Sequence, residues 1–374
     1  MRRLLLLAVL VLPAACAPQG PPAGFGGQLP PASGTPRTRV ALLLPMSGAN
    51  TDLGAALSNA AQLALFEHGG PGIEFTTHDT GGTAAGAGQA ARRALAEGAR
   101  VIVGPLTAAE TAAASGPARA AGVPMLAITN DAGQATAGVW PLGVTPAQQV
   151  RRVVTTAAQG GARRFALAGQ QGPFSQQLSL ALRAITVQAG LPAPVVLMYP
   201  PGTNPALVAR DLAAQAGQDV PQALLLAESG DRATAVAAAL AEAGLPAPPL
   251  RLMGTAGWGQ DATISGDPNL VGAIFPGPDT GARITFESRY RAAFGAAPPR
   301  VAAIAYDAAA LGAVAVRGGA AAQVPVGQVF QGADGALRLM PDGTVLRALA
   351  VYAVSPGGSP RVVEAATLPG QAGF

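Results

Sequence analysis

The feature that most constrains the fold is an alternation of short apolar runs with alanine-rich helical stretches, which begins at Val40. The run VALLLP precedes a predicted helix over about 53–68, and IEFTTHD and RVIVGP each precede another predicted helix. The same alternation recurs from RFALAG to LRLMGT, and 374 residues are enough for two such units. Apolar strands joined by helices imply parallel sheets covered on both faces. The sequence therefore predicts an α/β fold with two doubly wound, Rossmann-like lobes and a cleft between them.

The last third of the chain departs from this alternation. Asp-Gly pairs in Ala333-Asp334-Gly335 and Pro341-Asp342-Gly343 are typical of the turns in antiparallel hairpins. A doubly wound protein that ends in antiparallel strands indicates a chain that crosses between its lobes more than once. The predicted boundaries are a signal peptide at 1–16, a tether at 17–37, a first lobe of 38–145 with 276–325, a second lobe of 146–275 with 326–358, and a tail at 359–374.

The N-terminus predicts export from the cytoplasm. MRRLLLLAVLVLPAAC has a charged start, an apolar core of about nine residues and small residues before Cys16, which together are typical of a secretory signal. The apolar run is too short to span a bilayer. Cys16 is the only cysteine and its setting resembles a bacterial lipobox, although Pro13 stands where leucine is usual. We expect lipidation of Cys16; the alternative is an ordinary signal peptide with an incidental cysteine. The Pro- and Gly-rich segment that follows predicts a flexible tether.

The distribution of charge argues against a nucleic-acid partner. The chain carries 24 basic residues, all of them arginine, and a formal net charge of +4. These arginines are scattered along the sequence, whereas a nucleic-acid surface needs a basic stripe or patch, often with aromatic residues between the charges. We therefore expect no nucleic acid among the partners.

Sequence motifs of the common α/β enzymes are missing. A phosphate-binding P-loop needs a lysine, which this chain lacks, and SGANTDLG at the first strand–helix turn does not contain the dinucleotide fingerprint. No Gly-x-Ser-x-Gly nucleophile elbow occurs. With only His68, His78 and one cysteine, a His/Cys metal cluster is excluded as well. We therefore expect no enzyme activity, no cofactor and no metal; an enzyme acting on a cell-wall fragment is the weakest alternative.

Small polar residues follow several of the predicted strands. In open α/β sheets, ligands bind beyond the carboxyl ends of the strands. Hydroxyl side chains and the free backbone N–H groups of helix starts suit a carboxylate or a sugar hydroxyl. The alternative is that each of these residues only caps a helix. The candidate ligand-binding residues at these ends are Ser47, Asp79, Thr107, Thr129, Asn130, Phe174, Glu228, Thr255 and Trp258.

Several segments, taken together, resemble the type I periplasmic binding proteins of the leucine-binding kind. They are VALLLPMSG with NAAQLAL, HDTGGT, GARVIVGPLTAAE, AGVPMLAITND and AYDAAALGA, and the resemblance extends over about residues 38–355. Within that superfamily, ALLLP-x-SG and ITND look most similar to the lipoproteins called penicillin-binding protein activators, whose C-terminal domain has this fold. The resemblance implies two lobes joined by three crossovers.

The resemblance also implies roles for individual residues. In amino-acid binders of the family, a serine or threonine after the third strand and a threonine at the end of the fourth hold the ligand carboxylate. Thr107 or Ala108, with Thr129, occupy those places here. An aromatic residue, usually tyrosine, begins the first helix of the second lobe, and this chain has Phe174 there. The ring is thus retained without its hydroxyl.

The acidic residue that pairs with the ligand ammonium in the family is missing from the matching stretch, MGTAGWG. A buried ammonium without a carboxylate partner would be costly. Glu228 or Asp279 would have to supply the charge. This departure favours the activator-like interpretation, in which the cleft has lost its amino-acid site.

Two functions follow as hypotheses from the sequence. The first is a non-catalytic lipoprotein that regulates peptidoglycan synthesis through contact with a bifunctional penicillin-binding protein. The alternative is a substrate-binding protein that delivers amino acids or related small molecules to an ABC permease. Both place the protein in the periplasm, attached to a membrane only through its N-terminal lipid.

Overall fold

The computed structural model describes residues 37–319 and 321–370, which form two lobes built on separate sheets. The sheet of the first lobe has five parallel strands in the order β2-β1-β3-β4-β5. Its strands are β1 (Thr38–Leu44), β2 (Ile73–Asp79), β3 (Ala99–Val103), β4 (Met125–Ala127) and β5 (Val139–Pro141). Its first three helices are α1 (Thr51–His68), α2 (Ala84–Ala96) and α3 (Ala108–Ala120). Strand β1 is buried from Val40 to Leu44, as an apolar run covered on both faces should be.

The sheet of the second lobe has seven strands in the order β15-β14-β10-β9-β8-β6-β7. Strands β6 to β10 are parallel, whereas β14 and β15 extend the sheet in antiparallel pairing. The strands are β6 (Phe165–Gln170), β7 (Val195–Tyr199), β8 (Ala223–Leu226), β9 (Arg251–Met253), β10 (Ile274–Gly277), β14 (Leu349–Ala353) and β15 (Arg361–Thr367). The helices are α4 (Pro146–Gln159), α5 (Pro173–Gln188), α6 (Pro205–Ala216), α7 (Gly230–Glu242) and α8 (Ala262–Gly266).

Between β10 and β14 the chain returns to the first lobe. This segment contains α9 (Thr280–Phe294), α10 (Ala302–Ala315) and the antiparallel strands β11 (Val329–Gly332), β12 (Gly335–Leu339) and β13 (Val345–Arg347). Every residue of α10 except Val314 is buried. A Cβ on Gly312 would lie 3.1 Å from a methyl of Val103, so the alanine and glycine content of α10 lets it approach β1 and β3 closely. The chain therefore crosses between the lobes three times, near 142–145, 277–279 and 347–349.

Two segments lie elsewhere than the sequence predicts. Residues 326–358 are predicted in the second lobe, but Leu337, Leu339 and Val345 belong to the hydrophobic core of the first lobe. Buried and partly exposed residues alternate along β12, so one face of the small sheet of β11 to β13 is apolar and has to be buried. Helix α10 packs beside this sheet. Residues 359–374 are predicted as a tail, but 361–367 form the edge strand β15. Its side chains are mostly exposed, and Glu364 divides its apolar residues into two short pairs, so it lacks the continuous apolar run by which a buried strand is recognised.

The predicted signal peptide (1–16), Cys16 and most of the predicted tether (17–37) lie outside the described residues. Within the described part of the chain, no helix has both the length and the apolar character needed to cross a membrane. The predicted α/β architecture with two lobes is confirmed by the two sheets and their covering helices.

Replacement of Phe286 by alanine tests the core of the first lobe. Phe286 on α9 is fully buried, and its ring centroid lies 5.3 Å from that of Tyr306 on α10. We expect Phe286→Ala to lower the free energy of unfolding by about 3–5 kcal/mol, because the substitution leaves a cavity. Phe66→Ala is the matched control, since Phe66 is 88% exposed, and it should change the free energy by less than about 0.5 kcal/mol. Urea denaturation measures both; equal effects would contradict this packing.

Candidate functional site

The carboxyl ends of the parallel strands of both lobes face a shared cavity of about 560 Å³. The first lobe contributes Thr129 and Asn130 from the end of β4, and the second contributes Phe174, Glu228 and Thr255 from the ends of β6, β8 and β9. These five are half of the ten predicted site residues, drawn from four strand ends far apart in sequence. The cavity lies where open α/β sheets bind their ligands.

The wall from the first lobe offers hydrogen-bond donors. The Thr129 Oγ1 accepts the Asp131 N–H at 3.2 Å, which leaves the hydroxyl proton available to a ligand. Asn130 is exposed, and its amide has no hydrogen-bond partner among the described residues. The first crossover runs directly behind them, because a Cβ on Gly143 would lie 2.7 Å from the Asn130 backbone. Glycine is therefore required at this close approach.

The wall from the second lobe presents the carboxylate of Glu228. Its Oε1 accepts the Gln170 N–H at 3.0 Å and the Tyr199 hydroxyl at 2.5 Å, and its Oε2 accepts the Gln170 Nε2 at 3.1 Å. Burial, together with the Glu228 carboxylate, raises the pKa of Tyr199 well above its usual value, so the phenol remains a donor. A carboxylate has about four acceptor positions in all. One position on Oε2 is thus unused by the described residues, and Glu228 lines the cavity.

One aromatic ring and one amide complete this wall, and a buried tryptophan supports it. Phe174 at the start of α5 is 41% exposed, and its ring lines the cavity. Trp258 is fully buried beneath the wall instead, and its Nε1 donates to the Glu228 carbonyl oxygen at 2.7 Å. Gln149 on α4 accepts the Ala256 N–H at 2.9 Å and fixes the loop that carries Thr255. Trp258 therefore positions the Glu228 loop and does not line the cavity.

The other predicted site residues of the first lobe hold its loops together. The Asp79 Oδ1 accepts the backbone N–H groups of Met46, Ser47 and Gly81 at 2.8–3.2 Å. The Ser47 hydroxyl and these N–H groups hold the pKa of Asp79 below its usual value. Asp79 therefore joins the loop after β1 to the loop after β2, and neither Ser47 nor Asp79 lines the cavity.

Thr107 and Ala108 begin helix α3. The Thr107 hydroxyl donates to Glu110 Oε2 at 2.7 Å, and its Oγ1 accepts the Glu110 N–H, which makes a capping box. Leu106, one residue earlier, lines the cavity in their place. Asp279 caps α9 by accepting the Ala282 N–H at 2.9 Å and does not line the cavity either. Glu228 is therefore the predicted carboxylate that the structure brings to the cleft.

The cavity residues that are not among the sequence-based candidates include Gln149, Arg300 and Asp334. Asp334 belongs to an Asp-Gly pair, which in the sequence indicates only a turn. In the structure its carboxylate forms an ion pair with Arg283 at 2.9 Å. Arg300 lies in the loop before α10 and belongs to no recognisable motif. Its position in the cleft follows only from the return of the chain to the first lobe.

A buried ion pair fixes the crossovers beside the cavity. Asp307 on α10 contacts Arg347 at the end of β13 at 2.9 Å, and it also accepts the Ala333 N–H at 2.6 Å. Arg347 Nε donates to the Leu142 carbonyl oxygen at 2.6 Å. Burial raises the pKa of Asp307 to about 6, although Arg347 opposes the shift. The first and third crossovers are thus joined through the guanidinium of Arg347, which the Asp307 carboxylate holds in place.

The two histidines lie apart from the cleft. His68 Nε2 forms a hydrogen bond with the Tyr306 hydroxyl at 2.9 Å, and His78 Nε2 with the Thr76 hydroxyl at 3.2 Å. Burial lowers the pKa of both imidazoles. Among the described residues, no group of three or more His, Cys, Asp or Glu side chains is arranged to hold a metal ion.

Two α/β lobes, three crossovers and polar strand ends around a cleft are the architecture of two-lobed binding proteins. The chain belongs to the periplasmic binding protein family, whose model matches residues 37–354. This match confirms the resemblance to type I periplasmic binding proteins. No curated protein matches the sequence.

Solved structures with the same fold are described as transport proteins. The chain is similar to a putative branched-chain amino acid ABC transporter from Rhodospirillum rubrum, with 22% identity, a TM-score of 0.77 and coverage of 87% of this chain and 100% of that one. A leucine-binding protein from Thermotoga maritima shares 19% identity at a TM-score of 0.63, and the match covers 89% of this chain and 99% of that one. A solute-binding protein of an ABC transporter from Rhodopseudomonas palustris, in complex with 3,4-dihydroxybenzoic acid, shares 18% identity at a TM-score of 0.61. The match covers 89% of this chain and 99% of that one. These likenesses show the fold; the similarity to penicillin-binding protein activators stays a prediction.

The ion pair at the crossovers predicts an unusual dependence of stability on pH. Because the pKa of Asp307 rises from 3.8 to about 6 on folding, its contribution to stability is fully present below pH 3.8 and is lost as the pH rises through 6. We expect the free energy of unfolding of the wild type, measured relative to Asp307→Asn, to fall between about pH 4 and pH 6.

Asp79→Asn is the control of opposite sign for this measurement. The pKa of Asp79 is lowered on folding, so its contribution is present above its usual pKa and is lost as the pH falls. Urea denaturation at a series of pH values compares the three proteins. A wild-type curve parallel to that of Asp307→Asn would contradict the raised pKa.

Proposed function

We propose that this protein is the substrate-binding component of an ABC transporter and that its cleft binds an amino acid or a related small molecule. One observation carries the proposal. A single cavity has the hydroxyl of Thr129 and the amide of Asn130 on one lobe and the carboxylate of Glu228 on the other. A molecule that contacts both walls binds the closed arrangement of the lobes better than the open one, and it therefore favours closure.

The wall of the first lobe suits the carboxylate of such a ligand. The Thr129 hydroxyl can donate one hydrogen bond and the Asn130 amide two, and neither donor is used by a described residue. Arg300 lines the same cavity and adds a positive charge. Hydrogen bonds between these groups and a charged oxygen are stronger than those between neutral partners.

The wall of the second lobe suits an amine. The carboxylate of Glu228 is 8% exposed, and the open acceptor position on Oε2 can receive an ammonium N–H. Tyr199 and Gln170 fix the orientation of this carboxylate before a ligand arrives, which lowers the cost of binding. The acid that MGTAGWG lacks is thus supplied from the end of a neighbouring strand, β8.

The names of structurally similar proteins support a role in transport. Those named above are a branched-chain amino acid transporter protein, a leucine-binding protein and a solute-binding protein. The implied partner is an ABC permease, and the implied location is the periplasm. Lipidation of Cys16 would hold the protein near that permease, and this part of the proposal rests on the sequence alone.

Regulation of peptidoglycan synthesis is the second hypothesis. Its sequence-based support was a lipid-anchored N-terminus together with the loss of the amino-acid site. Glu228 in the cavity weakens the second argument, because the cleft retains a carboxylate for an ammonium group. We therefore rank contact with a bifunctional penicillin-binding protein below solute binding.

A thermal-shift screen of the mature protein against amino acids and small carboxylates tests the proposal. We expect at least one amino acid to raise the melting temperature, since a ligand that binds only the folded state stabilises it. Glu228→Gln should weaken that ligand about 10- to 100-fold, the usual effect of losing a charged hydrogen-bond partner. Glu242→Gln, at an exposed position on α7, is the matched control. Calorimetry measures the affinities.

A flat response across the amino acids would contradict the proposal. A pull-down with bifunctional penicillin-binding proteins then decides on the second hypothesis. Specific capture together with altered synthase activity would support it, and absence of both would exclude it.

A further inference from the structure

A second cavity lies at the hinge, where the three crossovers meet. Its volume is about 330 Å³, near the lower end of the roughly 300–1,000 Å³ of small-molecule sites. Its lining includes segments of all three crossovers, and its apolar wall consists of Phe275, Ile284, Leu349 and Tyr352. We call this cavity the hinge pocket.

The aromatic wall of the hinge pocket is held in place by its own contacts. The ring of Tyr352 stacks on Phe275 with centroids 5.5 Å apart and an angle of 11° between the planes. The Tyr352 hydroxyl donates to the Pro278 carbonyl oxygen at 2.7 Å and lies 2.9 Å from the Thr280 hydroxyl. A wall that is already ordered loses little side-chain entropy when a ligand binds.

Arg300 stands where the hinge pocket meets the cleft. It lines both cavities, as do Val144, Ala256 and Asp334. Asp334 acts on Arg300 electrostatically, but its carboxylate is bound to Arg283 at 2.9 Å. Within the described residues, the guanidinium of Arg300 makes no hydrogen bond and no ion pair.

The surroundings of Arg300 leave its charge incompletely compensated. Burial lowers its pKa, and the positive charge of Arg283 acts in the same direction against the smaller effect of Asp334. Arg283 has two carboxylate partners, Glu287 at 2.6 Å and Asp334 at 2.9 Å, although its Nη2 is buried without a hydrogen-bond partner among the described residues. An anion beside Arg300 would offset the cost of burying its charge.

We propose that the hinge pocket is a second ligand site, which binds a small carboxylate with an apolar body. The carboxylate binds the guanidinium of Arg300, and the apolar body contacts Phe275, Ile284, Leu349 and Tyr352. This site borders the amino-acid position in the cleft and shares Arg300 with it, but it differs in its apolar wall and does not involve Glu228. Since both lobes contribute to its wall, an occupant also contacts both sides of the hinge.

Calorimetry on the mature protein with two acids and their neutral amides tests this site. The probes are phenylacetate and 3-methylbutanoate, each compared with its amide. We expect the acids to bind about tenfold or more tightly than the amides, because only an anion forms a charged pair with Arg300. Arg300→Gln should abolish this preference, and Arg300→Lys should retain part of it.

A second substitution tests the apolar wall without disturbing the core. Ile284 is 61% exposed on α9, so Ile284→Glu should fold normally while it removes apolar surface and repels an anion. We expect it to weaken both acids about tenfold or more. Arg291→Gln, exposed on the same helix, and Val187→Glu, at a position 75% exposed on α5, are the matched controls.

The outcomes separate this site from the proposed function. Acid binding that depends on Arg300 and Ile284 but not on Glu228 supports the hinge site, whether or not an amino acid binds in the cleft. No acid binding, equal binding of acid and amide, or acid binding unaffected by Arg300→Gln or by Ile284→Glu would overturn it. Acid binding lost in Glu228→Gln would place the acids in the cleft and would also overturn it.

Discussion

Asp307 and Arg347 form a buried ion pair at the point where the chain passes between its lobes, with side chains 0% and 2% exposed. Removing two charges from water is costly, so such a pair is a poor source of stability compared with apolar side chains of similar size. Its effect is geometric. Through the Leu142 carbonyl oxygen and the Ala333 N–H it fixes the first crossover, the third crossover and the small sheet of β11 to β13 relative to α10. The cleft and the hinge pocket are both bounded by these segments, and removing either partner would leave an uncompensated buried charge between them.

Much of the fold could be predicted because its parallel strands are continuous apolar runs. VALLLP and RVIVGP became β1 and β3 because a strand buried on both faces needs no polar positions. The lobe to which β12 belongs could not be predicted in this way. Its alternating pattern shows that one face is buried but not which lobe covers it. Strand β15 was missed for a related reason, since an edge strand with exposed side chains resembles a tail.

The site could be predicted in part, by the rule that ligands bind beyond the carboxyl ends of strands. Thr129, Asn130, Phe174, Glu228 and Thr255 line one cavity as this rule expects. Thr107 shows the limit of the rule, because a hydroxyl at a strand end serves equally well as a helix cap. Arg300 could not be found at all. It follows no strand, and it reaches the cleft only because the late segment of the chain returns to the first lobe.

The return of α10 to the first lobe sets the order in which the chain can fold. Strands β1 to β5 are complete by residue 141. The face of their sheet that packs against α10, where Val40 and Val101 lie next to Gly312, stays uncovered until residues 302–315 are available. The parallel core of the second lobe, from 165 to 277, is by contrast continuous in sequence. Contacts between distant residues form slowly, and apolar surface that waits for them is prone to aggregate. The lobe whose parallel sheet is synthesised first therefore waits for a helix from the last fifth of the chain, and the nascent chain has to be kept from association until more than four-fifths of it is present.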